Sequence, residues 1–323
     1  MMNTVSSNIV KRSIQLTRRL WVALLLLAAI AYLFLQREQF AQVSELFTSV
    51  SWSDIFVISA FQVILWFVQI VAWRHAVWHC ASLTINTSRS IMHLSALVMG
   101  KYVPGKIWGI TARGADLVTG GVKISLAAKI TIYEQMAILI SAAIVAAGGL
   151  LIAHGLAIPP VIILQLAFLL SASAFMVFLG GPLAIRIARY ARMHSVPDIS
   201  AAEIKLKSTY VSTVYQISLQ ATAWIIHGII VVALAHAIGI DTTDLFWRIV
   251  SVNASATAVG FIALFAPAGI GVREATFVML LSSSESSTSL IVLTIAARAW
   301  SVVADILLGL VGTVIGLVSV HKR

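Results

Sequence analysis

The chain has 323 residues, of which 60% are hydrophobic and only 11% charged, and its mean hydropathy is +0.98. Soluble domains have about 45–50% apolar and about 25% charged residues, so the chain reads as a polytopic membrane protein without a sizeable soluble domain. A single cysteine, Cys80, excludes an internal disulfide and any thiolate metal motif, and the net charge of +10 is spread as membrane topology, not nucleic acid, would spread it.

Residues 1–19 carry Lys11, Arg12, Arg18 and Arg19 and no acid, and the apolar run Leu20–Leu35 follows as a first span. Ala29-Ile30-Ala31 resembles a cleavage site, but the run continues past it, which favours an uncleaved anchor. The second predicted span is Asp54–Trp73, with Trp52, Trp66, Trp73 and Trp78 as interface markers. Residues 74–123 hold a broken segment, and Ile124–Ala153 is a third span of 30 residues, long enough to cross with tilt. Val161–Gly181 returns, and in the polar loop 182–208 the spacing of Arg186, Arg189 and Arg192 predicts a basic surface helix. Thr209–Ile238 is the fifth span and contains His227 and His236. Trp247–Ala266 then runs into a second broken segment, whose return arm Val272–Leu281 is too short to span, and Leu290–Val318 is the sixth span.

The two broken segments share a design. Met99–Leu117 reads MGKYVPGKIWGITARGADL, and Phe265–Leu281 reads FAPAGIGVREATFVMLL. Each combines proline and glycines with basic residues that are costly in hydrocarbon. Glu134 lies 30 residues after Pro104, and Arg298 lies 31 after Pro267. Matching glycine- and proline-broken segments in two halves of a membrane protein point to a transport site.

Basic residues set the expected orientation. With both termini cytosolic, the inner segments hold 18 Lys and Arg and the outer segments one, Arg37. That bias requires 91–116 to enter and leave on the cytosolic side and 247–281 on the outer side. The expected fold is therefore all-α, with six transmembrane helices plus two re-entrant helical hairpins in an inverted 3+3 repeat. Residues 1–323 form one membrane domain, with half-repeats at 20–153 and 161–318.

GKYVPGKIW with downstream Arg113, Tyr133-Glu134 within a span, and PAGIGVREA resemble the transmembrane region of the lysylphosphatidylglycerol synthase family, also called the flippase-like domain. The resemblance covers roughly residues 15–320. In bifunctional members that domain is associated with moving aminoacylated lipid between leaflets, and a separate soluble domain makes the lipid. With no room for a synthase domain here, the resemblance implies translocation rather than aminoacyl transfer, and leaves the lipid open.

Lys101, Lys106 and Arg113, with Tyr102 and the Pro104-Gly105 break, form a candidate headgroup site, because ammonium and guanidinium groups suit phosphate. Ordinary positive-inside anchoring explains the same cations without a substrate. Glu134, Arg273, Glu274, Arg298 and Asp305 form a candidate ion-pair network around a cavity, next to the backbone break at Pro267, Gly269 and Gly271. Arg273 and Glu274 are adjacent and cannot pair on one helix, so each needs a partner elsewhere. Arg298 and Asp305, about 10 Å apart along a helix, are expected to bind other helices rather than each other.

Weaker patterns favour plainer readings. His75 and His79 have the spacing of a metal pair but suit a membrane interface, and no metal or cofactor is expected. His236-x4-Asp241 matches an acyltransferase pattern at two positions only. Gly312-x3-Gly316 reads as a close helix contact. There is no Walker A loop, Gly-x-Ser-x-Gly or HExxH, and no enzyme activity is expected. The expectation is a cytoplasmic (inner) membrane translocase of a phosphate-bearing lipid, either a phospholipid derivative or a polyprenyl-phosphate-linked sugar. Its expected partners are anionic membrane lipids and a separate lipid-modifying enzyme, with no nucleic acid. The rivals are a small-solute or ion transporter, and a non-catalytic subunit that docks a lipid synthase or glycosyltransferase.

Overall fold

The computed structural model describes residues 50–103, 107–154, 209–263, 266–282 and 287–321. Their regular elements are all helical: α1 Trp52–Ala81, α2 Thr87–Gly100, α3 Trp108–Thr119, α4 Ile124–His154, α5 Thr209–Ala237, α6 Phe246–Ile262, α7 Val272–Leu281 and α8 Ser287–His321. A short 3-10 turn, Pro267–Gly269, precedes α7. The expected spans Leu20–Leu35 and Val161–Gly181, the arginines of 182–208, and Pro104, Gly105 and Lys106 lie outside the described residues.

Among the described residues four helices are long and apolar enough to cross a membrane: Trp52–Ala81, Ile124–Ala153, Tyr210–Ala237 and Ser289–Val318. At about 1.5 Å per residue, each exceeds a hydrocarbon core of about 30 Å. Helix α1 starts at a reciprocal cap, in which the Asp54 amide donates to Ser51 Oγ and the Ser51 amide to Asp54 Oδ2, both at 3.2 Å. It continues past Trp73 because neither proline nor glycine interrupts it, and stops at Ser82, a left-handed residue with φ 51°. The expected second span therefore ended too early, and Trp73 is no interface marker, since it is only 2% exposed.

Side-chain contacts fix the helix directions. His75 Nδ1 lies 2.7 Å from Gln216 Oε1, near the end of α1 and the start of α5, so these helices are antiparallel. Tyr133 donates to the Ser212 carbonyl and Trp224 to the Ile138 carbonyl, so α4 and α5 run parallel. A Cβ on Gly149 would run into Ser251 Oγ, while Leu139 clusters with Ala258, which makes α6 antiparallel to α4. One end of the bundle gathers Arg74, Arg89, Lys123 and Lys129, whereas the other gathers Asp54, Asp241, Asp244 and Arg248.

Two short helix pairs fold back on themselves from these opposite ends. Helices α2 and α3 have 14 and 12 residues, and their outer ends are tied by Arg89 Nε donating to Asp116 Oδ2 at 2.7 Å. Their inner ends touch through backbone. A Cβ on Gly100 would overlap the Gly109 amide nitrogen, and one on Gly109 would come within 2.5 Å of the Ala96 carbonyl oxygen. Helices α6 and α7, of 17 and 10 residues, repeat the device with Gly260 and Gly269, where a Cβ on Gly269 would lie 3.1 Å from the Gly260 oxygen. In both pairs the glycines are nine positions apart, 100 to 109 and 260 to 269.

Helix α8 runs past both pairs. A Cβ on Gly309 would come within 2.5 Å of Met99 Sδ, and one on Gly312 would overlap Ser95, so the close contact with α2 falls at Gly309 and at Gly312, the first glycine of the Gly312-x3-Gly316 step. Small residues here let two backbones approach closely, which is how helices associate in lipid.

Candidate functional site

The tips of the two helix pairs meet beside the middle of α8. The Ala268 amide donates to the Lys101 carbonyl at 2.8 Å. Lys101 Nζ lies 2.5 Å from Asp305 Oδ2, and the Tyr102 hydroxyl donates to the same oxygen at 2.6 Å. Met99, Tyr102 and Val302 close the contact with apolar surface, against Ala268 and Ile270.

Ala268 has φ 48°, a left-handed conformation that only glycine adopts without cost. The peptide groups on both sides of it are held, because its carbonyl accepts from Arg298 Nη1 at 3.0 Å. Such conformations persist where their surroundings over-determine them, and they concentrate at functional sites. Gly269 and Gly271 follow at φ 75° and 77°, which bends the chain into α7. Glu274 caps that helix by accepting from the Gly271 amide at 2.8 Å, and pairs with Arg298 at 3.4 Å.

Arg273 points the other way. Its Nη2 donates to Asn253 Oδ1 at 3.3 Å, which turns the amide NH2 of Asn253 towards His227 Nδ1 at 3.2 Å. An amide NH2 can only donate, so His227 Nδ1 accepts and a neutral ring carries its proton on Nε2. A crevice of about 240 Å³, its open mouth included, is lined by Arg273, Glu274, Asn253 and Thr294 with Val231, Phe277, Leu293 and Ala297. Most of that volume is open mouth, and the enclosed part has room for about one water molecule.

Several sequence expectations meet this geometry. Arg298 and Asp305 bind other segments and not each other, and Arg273 and Glu274 have separate partners. Lys101, Tyr102, Glu274, Arg298 and Asp305 come together, with Arg273 beside them.

Arg113 and Glu134 do not join that centre. They form a two-pronged ion pair with each other, Nη1 to Oε1 at 3.1 Å and Nη2 to Oε2, at 1% and 3% exposure. Arg113 is therefore not a headgroup ligand in this arrangement, and Glu134 does not pair with Arg298. The reason is tertiary: α3 packs against α4 and reaches α1 through Arg113 and Leu117, so the Arg113 guanidinium stacks 3.9 Å above the Trp73 ring and faces Glu134.

Sequence reading also missed what holds Trp73. Its indole N–H donates to His93 Nδ1 at 2.9 Å, and His93 Nε2 lies 2.8 Å from Asp116 Oδ2. With Nδ1 accepting, a neutral His93 carries its proton on Nε2 and donates it to Asp116. Asn253 was missed as well, although an amide within an apolar helix was a readable signal.

His75 and His79 stack at 5.9 Å between centroids, with Tyr215 and Tyr133 against them. Among the described residues no group of three or more His, Cys, Asp or Glu is placed to hold a metal. Asp241 accepts from the Thr243 amide at 3.0 Å and its hydroxyl at 2.7 Å, which hold the carboxyl below its usual range. That oxygen orients no base on His236.

No family model matches the chain, and no curated protein matches it significantly. The resemblance to the flippase-like domain rests on the motifs themselves.

Proposed function

We propose that the chain is a lipid translocase of the cytoplasmic membrane, moving a lipid with a phosphate-bearing headgroup between leaflets. The observation that carries this reading is the meeting of two broken-helix tips, from opposite ends of the bundle, beside Arg298 and Asp305 of α8. In a bilayer the two pairs would be re-entrant hairpins, one opening to each face, as in transporters built from inverted repeats. Irregular backbone at membrane depth needs protein or water to satisfy it, and Ala268 and Lys101 satisfy each other. Lipid-facing apolar surface on α1 and α8 would leave acyl chains in the bilayer while the headgroup passes the polar centre.

Orientation follows the charge at the two ends. Arg74, Arg89, Lys123 and Lys129 would face the cytosol, and Asp54, Asp241 and Asp244, with the cation Arg248 among them, the outer side. Both termini would then be cytosolic.

In this closed arrangement the tips bar the path, and translocation requires them to part. The test is reconstitution of the purified chain in liposomes carrying fluorescent phosphatidylglycerol or a polyprenyl phosphate sugar. Loss of leaflet asymmetry faster than in protein-free vesicles is expected. No acceleration for either lipid would remove the translocase reading and leave the docking subunit, which co-purification with a lipid synthase or glycosyltransferase would identify.

A further inference from the structure

One carboxylate oxygen ties the α2–α3 tip to α8. Asp305 Oδ2 lies 2.5 Å from Lys101 Nζ and accepts the Tyr102 hydroxyl at 2.6 Å, so consecutive residues of the tip hold the same atom. The Lys101 carbonyl beside them accepts the Ala268 amide of the other tip. Withdrawing the α2–α3 tip from α8 and from Ala268 therefore strips both donors from Asp305.

The two sides of that ion pair differ in their access to water. The Lys101 side chain is 38% exposed and keeps its charge in water once released. The Asp305 side chain is only 9% exposed, within a helix long and apolar enough to span a membrane. A carboxylate left there without its partner is an uncompensated buried charge, and taking up a proton removes it.

The charged and titratable groups around Asp305 have partners of their own. On α7, Arg273 acts on Asp305 at a distance, and its Nη2 donates to Asn253. Glu274 pairs with Arg298 of α8 and accepts the Gly271 amide, and Arg298 donates to the Ala268 carbonyl. On α5, His227 is within electrostatic reach of Lys101 and Arg273 and accepts from Asn253. Asp305 is thus the acid that holds the α2–α3 tip.

We propose that Asp305 is a proton site that latches the two tips: as a carboxylate it holds them closed through Lys101 and Tyr102, and as an acid it lets them part. The proton comes from water that enters between the parting tips, and it binds the oxygen that Lys101 releases. The closed arrangement holds the carboxylate and the parted one the acid, so parting takes up one proton. Parting is therefore favoured as pH falls, by up to about tenfold per pH unit. Coupling the latch to lipid movement rests on the translocase reading, whereas the latch itself does not.

The experiment uses the full chain in mild detergent with a single cysteine, Ile270→Cys in a Cys80→Ser background, because Ile270 packs in the contact between the tips. Its reaction with a small water-soluble thiol reagent is measured from about pH 8 to about pH 5. Rates are taken relative to a single cysteine at the exposed Thr119, which corrects for the titration of the thiol itself. The relative rate should rise at least about tenfold as pH falls. Asp305→Asn keeps the side-chain shape without the charge, so its rate should be high and flat across the range. Tyr102→Phe keeps the ion pair and removes one donor, and it should move the rise to higher pH by at least about one unit. A flat rate in the unmodified chain overturns the latch. So does a rise that persists in Asp305→Asn, which would assign the titration to His227 or Glu274. Lipid movement is then followed in liposomes held at the same pH on both sides. A pH-dependent tip without lipid movement would keep the latch and remove the translocase. Lipid movement that ignores both pH and Asp305→Asn would keep the translocase and remove the latch.

Discussion

The backbone amide of Ala268 and the backbone carbonyl of Lys101 are hydrogen-bonded at 2.8 Å, so two helix pairs 160 residues apart touch through main chain. Side-chain substitution cannot remove that bond directly, but covalent linkage can hold it. Cysteines at Lys101 and Ala268, in a Cys80→Ser background, should form a disulfide under mild oxidation. Lipid movement should stop on oxidation and return on reduction. Unchanged movement by the fully cross-linked protein would show that the tips need not part.

The buried pair Arg113–Glu134 gives a second prediction, read as stability. Arg113→Met alone strands a carboxylate beside Trp73 and should cost about 3–5 kcal/mol. Arg113→Met with Glu134→Leu removes both charges and should recover most of that loss, since burying an ion pair is itself costly. Thermal midpoints of the two single variants and the double variant measure the coupling. Independent, additive losses would contradict a shared ion pair.

Close glycine contacts predict an asymmetric alanine series. Gly100→Ala places a methyl group against the Gly109 amide and should destabilise by about 1–3 kcal/mol as overpacking. Gly114, in the same helix as Gly109, has nothing within 4 Å of an added Cβ. Gly114→Ala should therefore be neutral or stabilise by about 0.4–1 kcal/mol. Equal midpoints for the two variants would contradict the close approach of α2 and α3.

Topology is the fourth prediction. Ser88 and Thr119 are both exposed, at the outer ends of α2 and α3, and Thr243 and Ser282 are exposed near the outer ends of α6 and α7. Single cysteines at Ser88 and Thr119, in a Cys80→Ser background, should react with an impermeant reagent from the cytosolic face. Those at Thr243 and Ser282 should react from the outer face. Labelling of Ser88 and Thr119 from opposite faces would mean that the segment crosses the membrane once.

Composition and periodicity alone determined the helical class, the apolar helices of α1, α4, α5 and α8, and the two broken segments. Those features are local, because a helix needs only an uninterrupted apolar run and a break needs only proline or glycine. The 18-to-1 distribution of basic residues determined the expectation that each broken segment returns to its own side. Pairing was not legible, because a charge in sequence names no partner. Arg113 and Lys101 look alike as cations near a glycine-rich break. Only the packing of α3 against α4, with Trp73 of α1 within reach, sends Arg113 to Glu134 and Trp73, while the register of α2 against α8 sends Lys101 to Asp305. Gly100, Gly109 and Gly269 were visible within the broken segments and Gly260 was not, but tertiary packing made all four contacts, because only a residue without a Cβ lets two backbones come that close.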